Sequence, residues 1–137
     1  MTAMKFRMKF LALACVSAVA ACGGPSVEDA EARLCDDLNE FAVALQNLGQ
    51  MNAQSTVREF ESARKDVVDA YQSVKASAET VETARLDELD AAYANFDNTV
   101  NSISGRDTLG EAAVEINTQA ENVAAARQQL SSGLTCP

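Results

Sequence analysis

The residues that could do chemistry in this chain are mostly carboxylates. They gather at Asp36, Asp37 and Glu40, at Asp66 and Asp69, and at Asp87, Glu88 and Asp90, and the chain contains no histidine. Paired carboxylates can hydrolyse a glycosidic bond across a cleft, and an oxygen-rich group can hold calcium. These clusters fall on segments with helical periodicity and lack the glycine-bearing loop of an EF-hand. A solvated polar face is therefore their expected role. Without histidine, no side chain has an ordinary pKa suited to general base work at neutral pH, and no Gly-x-Ser-x-Gly nucleophile elbow occurs. The expectation is a protein with no catalytic, cofactor-binding or metal-ligating residues, and so not an enzyme. Tyr71 and Tyr93 share helical spacing with apolar residues and should pack in the core with their hydroxyls toward water. Arg64 and Arg127 flank the apolar seams and should pair with carboxylates while packing their stems.

The N-terminus has a different character. Lys5, Arg7 and Lys9 precede an unbroken run of apolar and small residues over 10–21, which ends at Cys22. This charged-then-apolar order is that of a secretory signal peptide. A run of about a dozen residues is too short for a membrane span, which needs roughly 20 at 1.5 Å rise each. Val19, Ala20, Ala21 and Cys22 together resemble the bacterial lipobox: a branched apolar residue, two small residues, then the cysteine. The resemblance implies a bacterial lipoprotein, cut before Cys22, with a lipid-modified Cys22 as its first mature residue. Two or three acyl chains, at about 0.8 kcal/mol per buried CH₂, hold a protein at a membrane where one does not. Cys15, after Ala12, Leu13 and Ala14, is a weaker copy that would leave only a few apolar residues between Lys9 and the cut. Gly23, Gly24, Pro25 and Ser26 complete a short tether over 22–26. Position 23 is not aspartate, so the sorting logic of lipoproteins implies the outer membrane in a two-membrane cell.

If Cys15 leaves with the signal and Cys22 is lipidated, Cys35 and Cys136 remain in an exported, oxidising compartment. An intramolecular disulfide is expected, with free thiols or intermolecular bridges as alternatives. It would close a loop of about 100 residues, worth up to ~4.7 kcal/mol on chain-entropy grounds. Two thiols without histidine do not complete a zinc shell.

Losing residues 1–21 removes three basic residues and no acidic one, which takes the formal net charge from −9 to −12. A nucleic-acid partner would require a basic patch, so none is expected. The same charge disfavours anionic lipid, leaving the acyl chains at Cys22 to provide the membrane contact.

The elements that must position these residues read as helices. Leu34, Leu38, Phe41, Leu45 and Leu48 recur at intervals of four and three. Ser26 can cap that helix, Glu28, Asp29 and Glu31 suit its positive end, and Gly49 suits its stop. Thr56 and Glu59 have the spacing of a capping box. After them Phe60, Val67, Val74 and Val81 fall seven apart, with Ala63, Ala70, Ser77 and Ala84 beside them. Leu86, Leu89, Tyr93, Phe96, Val100 and Ile103 continue in another phase, the apolar face turning by roughly 80° between Val81 and Leu89. No Gly, Pro or Asn interrupts 56–94, so one continuous helix over 56–103, ~72 Å long, is expected. Thr108 and Glu111 suggest a second capping box after a stop at Ser104 and Gly105. Leu109, Ile116, Val123 and Leu130 then repeat every seven, flanked by Ala112, Ala113, Ala120 and Ala126.

The expected fold is all-α, a single coiled-coil-like antiparallel bundle over 27–137. It has three helices with a long central one, Cys35 and Cys136 meeting near its middle; a four-helix up-and-down bundle is the alternative. The body loosely resembles small alanine-rich helical lipoproteins and secreted proteins of high-GC Gram-positive bacteria. It also resembles the Braun-type murein lipoprotein in being small, lipidated and helical, but the C-terminal lysine that would link it to peptidoglycan is missing. The expected function is that of a lipid-anchored module acting by contact with an envelope protein or as an envelope component. A carrier for a small hydrophobic or cationic ligand is the alternative.

Overall fold

Ser26 starts the first helix. Its hydroxyl accepts from the Asp29 amide at 3.1 Å while the Asp29 carboxylate accepts from the Ser26 amide at 3.4 Å, a reciprocal cap that satisfies two otherwise orphaned N–H groups. The computed structural model describes residues 23–24, 26–103 and 108–137. Four helices follow in order: α1 (Val27–Leu48), α2 (Val57–Ala78), α3 (Asp87–Asn101) and α4 (Ala112–Ser132). No strand forms among the described residues; one isolated antiparallel bridge joins Thr56 and Thr108.

The helices form a bundle in which α1 packs beside α2 and α4, and α3 beside α4. Asp37 and Phe41 of α1 meet Ser77 and Tyr71 of α2, while Leu38 and, just past α1, Met51 meet Arg127 and Asn117 of α4. Between α2 and α3, Arg64 meets Asp97 and Tyr71 meets Asp90. In each pairing residue numbers rise along one helix as they fall along the other, so these neighbours run antiparallel. The apolar stripes all face one core, where Phe41, Phe60, Phe96, Leu34, Leu89 and Ile116 are fully buried. Each such side chain contributes roughly 1.5–3 kcal/mol of burial.

The long central helix does not form. The chain leaves α2 after Ala78 and re-enters helix at Asp87, turning through short-range bonds from the amides of Thr80, Val81 and Ala84 to carbonyls three residues back. Burial decides this. Val81 and Leu89 are both buried, yet their phases differ by roughly 80°, so a straight rod would bury one stripe and expose the other. The local sequence adds to the break. Thr80, Val81 and Thr83 are β-branched and weak helix formers, and the Thr80 hydroxyl donates to the Ser77 carbonyl at 2.7 Å. Asp87, Glu88 and Asp90 crowd the first turn of α3, where the helix dipole favours negative charge.

The start of α4 also differs from the sequence expectation. Thr108 pairs with Thr56 instead of capping, Leu109 N donates to Ser55 O at 3.0 Å, and Gly110 N donates to Ala53 O at 3.1 Å. Gly110 takes a positive φ of 55°, open to glycine at little steric cost. The helix begins only at Ala112, and Glu111 makes no side-chain cap bond. The two connections at this end of the bundle are thus tied to each other by backbone hydrogen bonds. The Thr56–Glu59 capping box forms as expected, the first helix stops at Gly49 as expected, and α4 ends at Gly133. The expected stop at Ser104 and Gly105 lies outside the described residues.

Candidate functional site

Cys35 and Cys136 stand at disulfide distance, their Sγ atoms 2.05 Å apart and their Cα atoms 5.5 Å apart. They meet where α1 begins and α4 ends rather than halfway along a long helix, because the break at 79–86 folds the chain into four short helices. The Thr135 amide donates to the Glu31 carboxylate at 2.6 Å, which lays the C-terminal tail against the first turns of α1. Cys22 and the signal-like segment 1–21 lie outside the described residues. None of the described helices is long and apolar enough to cross a membrane.

The carboxylate clusters disperse. Asp36, Glu40, Asp66, Asp69, Asp87 and Glu88 are exposed, whereas Asp37 accepts from the Ser77 hydroxyl and Asp90 from the Tyr71 hydroxyl. Among the described residues no group of three or more potential metal ligands is placed to hold an ion. Ser62 and Lys65 have the Ser-x-x-Lys spacing of one class of serine nucleophile, but both are exposed on α2 and Lys65 pairs with Asp69 at 2.5 Å.

Tyr71 and Tyr93 lie in the core region as expected, but the Tyr71 hydroxyl finds Asp90 rather than water alone. Burial, then the hydrogen bond to Asp90, raises the Tyr71 pKa well above the usual tyrosine value. Burial raises that of Tyr93.

The two arginines differ. Arg64 pairs with Asp97 at 2.7 Å, as expected. Arg127 has no carboxylate partner among the described residues: its Nη1 donates to the Leu38 carbonyl at a long 3.4 Å, and its buried Nε has no partner. Burial lowers its pKa by disfavouring the charged form. It is left alone because α1 presents Leu38, Ala42 and Leu45 at its level, not an acid.

Arg127 lines a cleft of about 520 Å³ between α1 and α4 that also takes in Leu45, Gln46, Gln50, Asn117 and Glu121. The cleft has depth because Ala42, Ala120 and Ala124 fill little of the gap. Asn117 donates from Nδ2 to the Met51 carbonyl at 3.1 Å, while its buried Oδ1 has no partner. An unsatisfied buried polar atom costs roughly 1–3 kcal/mol. Two such atoms, enclosed behind the wall of one cleft that the Arg127 and Asn117 side chains line, make it the candidate binding site. Sequence reading could place Arg127 and Asn117 on α4, but not the absence of acids opposite them; the sole hint is the alanine spacing at 120 and 124.

No family model matches the chain, and neither a curated protein nor a solved structure matches it.

Proposed function

We propose that the chain is an exported lipoprotein, anchored through Cys22, whose helical bundle acts as a protein-interaction or structural module of the cell envelope. The observation that carries this reading is the placement of the two ends. The tether leads directly into the Ser26 cap, and the C-terminal tail returns to the same end through Cys35–Cys136 and Glu31–Thr135. Anchoring there points the opposite end outward, about 33 Å along the 22 residues of α1. That far end is built from the two hydrogen-bonded connections, and residues 46–57 carry no charged side chain. On a chain of net charge −12 once 1–21 are removed, this uncharged amide-rich connection, beside one that carries Arg106, Asp107 and Glu111, is where a second protein meets little repulsion.

The test combines two measurements in the native bacterium. Cys22→Ser should move the protein from the membrane to the soluble fraction. Photocrosslinkers at Gln50 and Gln54 should trap one defined partner, while the same probe at Ser62 on the flank should not. Persistent membrane association of the variant, or equal trapping from tip and flank, would refute the reading.

The cleft between α1 and α4 favours a second reading, a small-ligand carrier, since several hundred cubic ångströms is the usual scale of such sites. A carrier should gain thermal stability with its ligand. The lining departs from the sequence expectation in one respect: the unpaired Arg127 disfavours a cation.

A further inference from the structure

We propose that the α1–α4 cleft binds the C-terminal end of an extended peptide, its free carboxylate on Arg127 and its main chain running toward Asn117. The inference rests on the ligand-binding reading of the cleft and gives that reading a ligand class.

Arg127 is a partly buried cation, its Nε enclosed and its guanidinium without a counterion among the described residues. A buried charge is tolerated when it is paired, and removing its partner is costly. Guanidinium is a planar fork whose two parallel N–H groups match a carboxylate. Glu121, three residues from Ala124 on the same wall, repels a polyanion such as a phosphate dianion. A single carboxylate is the better fit.

Asn117 lines the other end of the cleft, ten residues from Arg127 on α4 and about 15 Å along the axis. An extended chain advances about 3.3 Å per residue, so four or five residues span the gap with backbone N–H groups available throughout. Ala42, Ala120 and Ala124 leave depth for a main chain rather than a bulky ring, and Gln46 and Gln50 offer amide partners along the rim.

Titration calorimetry with the purified protein tests this. Tetra-alanine with a free carboxylate should bind at one site, and its C-terminally amidated form at least tenfold more weakly. Arg127→Gln should lose at least tenfold in affinity for the free acid. Arg127→Lys should recover part of the loss, and Arg85→Gln, which does not line this cleft, should leave the affinity unchanged; circular dichroism confirms that each variant is folded. Equal binding of acid and amide, or equal competition by acetate, would overturn the proposal. Failure of both peptides while an apolar fluorophore binds, and is displaced by Ala124→Leu, would overturn the peptide assignment and leave the carrier reading standing. Failure of every probe would overturn both.

Discussion

The ring of Tyr71 on α2 stacks on the ring of Tyr93 on α3, centroids 3.7 Å apart and planes 9° from parallel. Phe41 and Phe96 extend the row at 6.0 Å on either side. No Cα of α2 comes within 8 Å of a Cα of α3. The two helices are joined by long side chains: this stack, Tyr71 to Asp90, and Arg64 to Asp97.

Aromatic pairs contribute about 0.5–1.5 kcal/mol beyond their burial. A double-mutant cycle of Tyr71→Leu and Tyr93→Leu in urea should therefore return a coupling of that size. Additive losses would show that the rings only fill space.

Stability should fall at alkaline pH. Both tyrosines have raised pKa values in the fold, from burial and, for Tyr71, from its bond to Asp90. Their contribution is complete below the unfolded value near 10 and is lost as pH rises through the folded values, because the unfolded chain ionises first. Tyrosinate absorbance should appear above pH 10 together with unfolding. Ordinary titration near 10 in a folded protein would contradict the burial.

Cys35 and Cys136 are 101 residues apart in sequence. Intact mass should show the loss of two hydrogens, and Cys35→Ser with Cys136→Ser should destabilise the bundle by about 2–4 kcal/mol. Two free thiols that alkylate in the native exported protein would remove the staple from the account.

The cap on α2 predicts an acid dependence. The Thr56 amide and hydroxyl both donate to Glu59, holding its carboxyl below the usual value. That stabilisation is present above the ordinary glutamate pKa and is lost as pH falls through the lowered folded value. Thr56→Ala should cost about 1 kcal/mol at neutral pH. The gap in Tm between the native protein and Glu59→Gln should close in acid; a constant gap would refute the cap's role.

The sequence alone determined whatever depends on neighbours a few residues apart. The stripe from Leu34 to Leu48, the Ser26 cap, the Thr56–Glu59 box and the Ala-lined seam of α4 are all set by the 3.6-residue period and by the orphaned N–H groups of a first turn. The break at 79–86 was half legible: the phase change and the acidic first turn of α3 are in the sequence, but only burying Val81 and Leu89 in one core forces the chain to turn. Tertiary structure decided the rest, because it depends on which residues are absent opposite a given one. Thr108 pairs with Thr56 rather than capping α4, Tyr71 finds Asp90, and Arg127 faces alanines and leucines where it was expected to find a carboxylate. A charge's partner is fixed by packing across 89 residues of chain, and local periodicity carries no information about it.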